Sequence, residues 1–281
     1  MVRVTTTDRR GALRAGAGLL AGSSLATGCV SASGSAEPAA PARSTSARST
    51  RTDSTAPAAA TPGATEPPPR AAPALAPRAF PGQPAQISHG PRDRPRIALT
   101  FHGQGDPALA RALLTEAEQH GARITVLAVG SWLDEHPELA RRVLDGGHDL
   151  GNHTQHHISV NALSETEARA EITACADRLK RLTGSIGSWF RPSRAQTASP
   201  LVERLARAAG YPHVLSYDVD SLDYTRPGAP AVSRTVLAEV TGGSVVSLHF
   251  GYPDTVAALP GVLQELDRRG LRAVTTTELL S

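Results

Sequence analysis

The sequence predicts an α/β fold for residues 94–281, with parallel strands in a sheet, open or closed into a barrel, and helices outside. Three observations predict this fold. Strand-like and helix-like segments alternate along these residues, which is the pattern of repeated βα units. The run RITVLAV at residues 123–129 is continuously apolar, as strands in a fully covered parallel sheet are. Polar side chains recur just after the strands, at the sheet edge where α/β proteins build their sites.

The strands are short runs rich in apolar and β-branched residues. RIALTF is the first of them, and SVVSL comes near the end of the chain. Runs of this composition between helix-length segments are typical of strands in βα units. Strands are predicted over residues 96–101, 123–129, 148–152, 188–191, 213–219, 244–248 and 271–275.

Several predicted helices carry their own start signals. The first opens at Asp106, a carboxylate N-cap followed by Pro107 at the first helical position. The longest opens with a capping box formed by Ser164 and Glu167. Helices are predicted over residues 107–120, 137–145, 164–183, 200–209, 231–240 and 256–269.

Residues 1–29 are predicted to be an export signal. Arg9 and Arg10 precede a short apolar run, well under the ~20 residues of a membrane-spanning helix, so no permanent span is expected. The arginine pair resembles a twin-arginine signal. LATGC resembles a bacterial lipoprotein cleavage box in which Cys29 would be lipidated; a plain secretory signal with an incidental cysteine is the alternative. We therefore expect an exported protein, anchored to the outer face of the membrane through Cys29 or secreted.

Residues 30–93 are mainly Ala, Pro, Ser and Thr, which predicts a disordered spacer before one folded domain at residues 94–281. Signal and spacer hold ten arginines and five acids, whereas the domain holds nineteen basic and twenty-one acidic residues. A mildly acidic domain argues against nucleic acid as a partner. Cys175 is expected to be a buried thiol without a disulfide partner, and the chain is expected to be a monomer.

The motif GNHTQHH predicts a metal site. His153 and His157 lie four residues apart, a spacing that places two imidazoles on one side of a helical turn. A polar loop with solvated histidines is the alternative interpretation. Arg191, Asp220 and His249 each follow a strand. Each alone could be an ordinary structural residue, but together they favour a shared site.

Six segments of the chain resemble, in order, the successive motifs of the NodB-type polysaccharide deacetylases, carbohydrate esterase family four. They are LTF, GNHTQHH, FRP, YDVDSLDY, LH and the tail from Gly243. The resemblance covers residues 94–281. It implies a distorted (β/α) barrel that uses a divalent metal, above all zinc. It also implies removal of N- or O-linked acetyl groups from a carbohydrate polymer, either peptidoglycan or a chitin-like glycan.

The resemblance also implies roles for single residues. His153 and His157 match the family's two metal-binding histidines, and His249 matches its catalytic acid. Leu248 would line the acetyl pocket. Three further positions match an arginine that steadies the catalytic base, an aspartate that orients that pair, and a substrate-binding aromatic residue. They are Arg191, Asp220 and Tyr217, respectively.

Two motifs depart from the family pattern. The first family motif carries two aspartates, a base and a metal ligand, where this chain has His102 and Gly103. His102 could act as the base, kept neutral by Arg191 nearby, or as the third metal ligand. Asp106 is the other candidate ligand, reached across a loop with two glycines, although it also suits the N-cap role. The third motif reads PSRA at residues 192–195 in place of Pro-Pro-Tyr-Gly.

These departures leave more than one function open. The retained histidines and Arg191 favour a hydrolase that removes acetyl groups, with His102, hydroxide or Asp220 supplying the base. Loss of the second aspartate favours a catalytically impaired protein that keeps the fold and binds cell-wall glycan. A related amide hydrolase that acts on something other than sugar is the third possibility.

Overall fold

The structure, a computed structural model, describes residues 75–281. The predicted export signal, Cys29 and the predicted spacer up to residue 74 lie outside the described residues. None of the described helices is long and apolar enough to cross a membrane.

Strands and helices alternate along the described residues, as the sequence predicts. The strands are β1 (Gln86–Ile87), β2 (Arg96–Gly103), β3 (Thr125–Ala128), β4 (Asp149–Asn152), β5 (Val214–Leu215), β6 (Val219–Asp220), β7 (Val245–His249) and β8 (Arg272–Ala273). The helices are α1 (Pro107–Gln119), α2 (Gly130–Glu135), α3 (Glu138–Asp145), α4 (Glu165–Thr183), α5 (Pro200–Ala208), α6 (Ala229–Glu239), α7 (Pro253–Arg268) and α8 (Thr276–Leu279).

Neighbouring strands run parallel. The main sheet has the order β4-β3-β2-β7-β6, and every neighbouring pair in it is parallel. β8 pairs with the start of β2, and β1 pairs with β5, also in parallel. Phe190 makes parallel bridges to Asn152 and Val214, which join the two sets of strands into one arc. The predicted α/β fold with parallel strands inside and helices outside is therefore confirmed.

The central strand β2 has one face toward the hydrophobic core and the other toward the candidate site. Leu99 and Phe101 pack into the main hydrophobic core, which the helices outside the sheet also line. Side chains alternate along a strand, so Thr100 and His102 point to the opposite face. His102 lies in register with His249 of β7, its neighbour in the sheet. The alternation thus brings both histidines to one place at the carboxyl ends of the two strands.

The predicted strand at residues 213–219 is broken into β5 and β6. The carbonyl oxygens of Leu215 and Ser216 accept hydrogen bonds from the Arg191 side chain, at 3.0 Å from Nε and 2.9 Å from Nη2. A buried guanidinium needs hydrogen-bond acceptors. These two carbonyls accept from Arg191 instead of from the amides of a neighbouring strand, so the β-ladder is interrupted between β5 and β6.

The folded domain begins earlier than the sequence predicts. Phe80 is buried and its ring stacks on Trp189, with centroids 5.4 Å apart. Ile87, in β1, is also fully buried. The prediction that the disordered spacer runs to residue 93 is therefore wrong from Phe80 onward. Two isolated apolar residues in a Pro- and Ala-rich stretch carry no periodicity, so the pattern did not reveal them.

Candidate active site

Three histidines meet at the carboxyl edge of the parallel strands. His102 lies near the end of β2, His153 directly follows β4, and His157 lies in the loop beyond it. Each offers one ring nitrogen, and these nitrogens lie within 4.8 Å of one another. Ring centroids are 4.4 Å apart for His102 and His153, and 5.0 Å apart for His153 and His157. The structure thus brings the predicted pair together with His102.

The hydrogen bonding of His153 fits a metal ligand. Its Nδ1 lies 3.0 Å from the backbone oxygen of Arg191, so Nδ1 carries the ring proton and donates it. Nε2 then holds the lone pair, and it is buried without a hydrogen-bond partner in the described chain. Buried polar atoms are seldom left unpaired. A ring fixed through one nitrogen while the other is bare is the usual arrangement of a histidine that binds a metal.

All three rings are neutral at neutral pH. Burial first, and then the neighbouring histidines, hold the pKa of His102 well below its usual value. Burial, followed by His157, does the same to the pKa of His153. Burial and then the guanidinium of Arg194 lower the pKa of His157 to about 4. Neutral imidazole is the form that binds metals, so protonation of these rings does not block metal binding at pH 7.

Acid is expected to destabilise the metal-free protein between about pH 6.5 and 4. Unfolded histidines bind a proton near pH 6.5, whereas His102, His153 and His157 stay neutral to lower pH when folded. The unfolded state therefore binds more protons in this window, so the free energy of unfolding falls as pH falls. Urea unfolding in chelator at several pH values measures it, and His157→Gln should flatten the curve. An unfolding midpoint that is independent of pH here would contradict the assignment.

A loop held by a local hydrogen bond, not a helical turn, brings His153 and His157 together. The segment after β4 is not helical, and Thr154 and His157 have left-handed backbone conformations with φ of 68° and 54°. Asn152 Oδ1 accepts the amide of Thr154 at 2.9 Å, a local bond that competes with helix formation. The spacing of four residues indicated two histidines that do lie together, but the helical geometry inferred from it is wrong.

Arg191 faces His102 from the interior. Its guanidinium is fully buried; Nη1 donates to Thr100 Oγ1 at 2.8 Å and lies 3.2 Å from His102 Nε2. A guanidinium only donates, so it faces the lone pair of the ring. Burial lowers the pKa of Arg191 to about 9. Its hydrogen-bond partners are two carbonyls, a hydroxyl and His102. Arg191 therefore lies next to His102, as the sequence analysis predicts.

Asp223 is a site residue to which the sequence analysis gave no role. It is fully buried, and one carboxylate oxygen lies 2.6 Å from Nδ1 of His249. The other oxygen accepts the His249 amide at 2.8 Å and Thr255 Oγ1 at 2.7 Å. These contacts orient the ring and place a proton on Nδ1, which leaves Nε2 for proton exchange. Leu222, with φ of 55°, turns the chain just before Asp223, and the letters DSLDY alone do not reveal that turn.

The three remaining predicted site residues differ in how they relate to the pocket and to Arg191. Asp220 lines the pocket and accepts the amide of Leu222 at 3.1 Å, but it makes no hydrogen bond with Arg191 in the described chain. The ring of Tyr217 lies against Arg191, with 5.3 Å between its centroid and Cζ. Leu248 packs into the main hydrophobic core. The orienting role of Asp220 and the acetyl-lining role of Leu248 stay predictions.

The assignment of Asp106 as a metal ligand needs correction. Its Oδ1 accepts the amide of Ala108 at 2.8 Å, which makes Asp106 the N-cap of α1. The cluster whose donor atoms come together contains His102 instead. Pro107 at the first helical position favours this cap, so the carboxylate is occupied at the helix start.

Asp106→Ala is expected to lower the free energy of unfolding by about 1 kcal/mol, because a helix cap is lost. It should leave zinc affinity unchanged, whereas His102→Ala should weaken it. Urea unfolding and calorimetric zinc titration of the two variants measure both quantities. Weaker zinc binding by Asp106→Ala with His102→Ala unaffected would reverse the ligand assignment.

Gly103 stands where the family pattern has a metal-binding aspartate, and a side chain there would crowd its neighbours. A Cβ there would lie 2.9 Å from Val126 Cγ1 and 3.1 Å from Ala128 Cα. Gly103 pairs in register with Ala128, and its carbonyl accepts the amide of Val129 at 3.0 Å. The close approach of β3 therefore leaves no room for a carboxylate at this position.

Gly103→Asp is expected to cost about 1–3 kcal/mol of stability by overpacking, without raising zinc affinity. Urea unfolding and zinc titration against the parent protein test this. A variant that is as stable as the parent and binds zinc more tightly would show that the strand yields, contrary to expectation.

A pocket of about 370 Å³ opens beside these residues, a size suited to a small ligand or a sugar unit. His102, His157 and His249 lie on its wall. Tyr224 and Tyr252 flank His249, with ring centroids 5.5 and 5.8 Å from the imidazole. Two members of the histidine cluster, His249 and the two tyrosines therefore line one cavity.

Sequence comparisons agree with this fold. The profile of the family described as polysaccharide deacetylase matches residues 89–214. A peptidoglycan-N-acetylglucosamine deacetylase of Bacillus cereus is 32% identical over 194 residues, which cover 68% of this chain and 90% of the relative. A chitooligosaccharide deacetylase of Bradyrhizobium sp. is 29% identical, covering 62% of this chain and 85% of the relative.

Solved structures share the architecture. A mutant of a CE4 family pseudoenzyme, with restored enzymatic activity, has a TM-score of 0.66 and 25% identity over 71% of this chain and 72% of that one. A peptidoglycan N-acetylglucosamine deacetylase has a TM-score of 0.65 and 25% identity over 69% of this chain and 92% of that one. The fold is thus that of a polysaccharide deacetylase. The chain belongs to the NodB-type family of these proteins, carbohydrate esterase family four.

Proposed function

We propose that this protein is a metal-dependent hydrolase that removes acetyl groups from N-acetylated, or O-acetylated, cell-wall or extracellular polysaccharide. The observation that carries the proposal is the buried, unpaired Nε2 of His153 beside His102 and His157. Relatives named as peptidoglycan-N-acetylglucosamine and chitooligosaccharide deacetylases support the substrate class. The export signal predicted over residues 1–29 would place this action outside the cell, with a lipid at Cys29 as the anchor.

His102, His153 and His157 would hold the divalent metal, and zinc suits imidazole donors. When bound, such a metal polarises the acetyl carbonyl and lowers the pKa of water toward 7. A neutral imidazole has one lone pair, so His102 must release Arg191 to offer that lone pair. Arg191 keeps Thr100 Oγ1 and two backbone carbonyls as acceptors, which limits the cost of this exchange.

Two residues would move the protons. Asp220, on the pocket wall, takes the proton of the attacking water as general base. His249, oriented by Asp223, gives a proton to the leaving nitrogen as the carbon–nitrogen bond breaks. The products are acetate and a free amino sugar. Tyr224 and Tyr252 would stack on sugar rings beside His249.

A catalytically impaired protein that binds cell-wall glycan is the second candidate function. The packing around Gly103, which leaves no room for a carboxylate, favours it. Similarity to a CE4 family pseudoenzyme favours it as well. In that case the pocket would bind glycan through the same tyrosines and release no acetate.

Acetate release separates the two functions. The purified full-length protein is incubated with acetylated chito-oligosaccharides and with peptidoglycan, with added zinc or with chelator. The hydrolase releases acetate with zinc and not with chelator, and His249→Gln slows the release. Binding of either glycan without any acetate would favour the second candidate.

A further inference from the structure

We propose that Arg194 makes the pocket selective for acetylated sugars that carry a carboxylate, such as N-acetylmuramic acid, over neutral N-acetylglucosamine. The inference rests on the proposed function and names the substrate class of that site. It starts from an arginine that stands in the pocket without a partner.

Arg194 lines the same pocket as His157 and His249. Its side chain is exposed and forms no hydrogen bond or ion pair with any described residue. Most arginines whose contacts are resolved behave differently; Arg142, for example, pairs with Glu118. A guanidinium that faces a cavity with all its donors free is available to a ligand.

The backbone around Arg194 is held in place. Arg194 itself has a left-handed backbone conformation, with φ of 55°, which is strained for a non-glycine residue and is found most often at functional sites. The preceding Ser193 is fully buried and accepts Thr154 Oγ1 at 2.9 Å. Two residues on, the carbonyl of Gln196 accepts Ser216 Oγ at 2.7 Å. Bonds on both sides therefore fix the point from which the arginine reaches into the pocket.

The charge around the pocket favours an anion. Its wall carries the guanidinium of Arg194 and the carboxylate of Asp220, and the rings of His102 and His157 beside them are neutral. Arg191, buried behind His102, has carbonyls, a hydroxyl and an imidazole as partners rather than a carboxylate. A divalent metal held by imidazoles alone would add its full charge. Such a cavity raises the local concentration of anionic ligands.

A carboxylate is the anion that suits this guanidinium. Arginine binds carboxylates through two parallel hydrogen bonds, which adds geometric specificity to charge. Peptidoglycan alternates a neutral acetylated sugar with one that has a lactyl carboxyl group, which is a free carboxylate where the stem peptide has been removed. Chitin-like polymers carry only the neutral sugar. Arg194 would therefore favour the acidic sugar, or the sugar next to it, within a peptidoglycan strand that has lost its stem peptides.

The test compares two probes that differ in the carboxylate. The full-length protein is titrated with the N-acetylglucosamine tetramer and with the peptide-free tetrasaccharide that alternates N-acetylglucosamine and N-acetylmuramic acid. We expect the acidic probe to bind at least about tenfold more tightly at low salt. Higher salt should reduce the preference. Arg194→Gln should bring affinity for the acidic probe down to that for the neutral probe, and Arg194→Lys should keep part of the preference.

Arg204→Gln is the matched control, because Arg204 pairs with Glu165 on the surface and lies outside the pocket. It should keep the full preference. Equal affinity for both probes, binding of neither, or a preference that survives Arg194→Gln would overturn the inference. If the acidic probe binds more tightly through Arg194 but no acetate is released, only the proposed hydrolase activity is contradicted. If acetate is released but both probes bind equally, only the proposed role of Arg194 is contradicted.

Discussion

His153→Gln is expected to weaken zinc binding by the purified protein strongly. His153 is fully buried, its Nδ1 is tied to the Arg191 carbonyl, and its Nε2 is the bare lone pair of the cluster. An amide cannot present a nitrogen lone pair there. Loss of an outer-shell partner alone costs 10–100-fold in metal affinity, so loss of this ligand should cost at least about 100-fold. Calorimetric zinc titration and the metal content of dialysed protein measure it.

His156→Gln is the matched control within the same motif. The His156 side chain is 64% exposed, and its Nδ1 lies 2.6 Å from Glu171 rather than near the cluster. Its backbone amide also donates to Glu171, a contact that the substitution keeps. The variant should bind zinc like the parent protein. Equal loss in both variants, or normal zinc binding by His153→Gln, would remove His153 from the site.

Asp223→Asn is expected to slow acetate release by at least about 100-fold, the lower end of what general acid–base catalysis contributes. The carboxylate accepts three donors, namely the amide and Nδ1 of His249 and the hydroxyl of Thr255. An asparagine accepts through one atom only, and its NH₂ group would face a donor. The ring would lose either its proton position or its orientation. Leaving a buried donor unpaired should also lower the free energy of unfolding by about 1–3 kcal/mol.

Two comparisons separate positioning from simple destabilisation. Asp254→Asn replaces a carboxylate that accepts one amide, that of Gly228 at 3.0 Å, which an asparagine can still accept; its rate should match the parent. In a double-mutant cycle, Asp223→Asn should cause no further loss once His249→Gln is present, because Asp223 acts through that ring. Additive losses would mean that Asp223 acts elsewhere.

Features that depend on neighbours in sequence were predictable. Asp106 before Pro107 marked the start of α1, and Ser164 with Glu167 formed the expected capping box of α4. Strand periodicity placed the polar residues at the carboxyl ends of parallel strands. The spacing of His153 and His157 identified two members of the histidine cluster. These signals are local, because each is set by bonds or contacts within a few residues.

Features that depend on the path of the chain in space were not predictable from the letters. Asp223 became the partner of His249 because Leu222 adopts a left-handed conformation, and DSLDY is compatible with several turns. The strand around Leu215 broke because Arg191, distant in sequence, uses its carbonyl. Likewise, whether Asp106 caps a helix or binds a metal is decided by three-dimensional geometry, since both roles use the same carboxylate.

The departures at His102 and Gly103 belong together. The approach of β3 to Gly103 removes the place for a carboxylate ligand, and His102 on the same strand supplies an imidazole near the other two. Exchange of an anionic ligand for a neutral one leaves more positive charge on a bound metal. Arg191 faces the imidazole lone pair of His102, which stands where the family pattern has the base aspartate.

X-ray absorption at the zinc edge of the zinc-loaded full-length protein tests the ligand set most directly. The expected spectrum shows nitrogen ligands at about 2.0–2.1 Å with the outer-shell scattering of three imidazole rings and no protein carboxylate. His102→Ala should reduce the imidazole count to two. A parent spectrum with two imidazoles and a carboxylate, or a protein that retains no zinc, would contradict the three-histidine site.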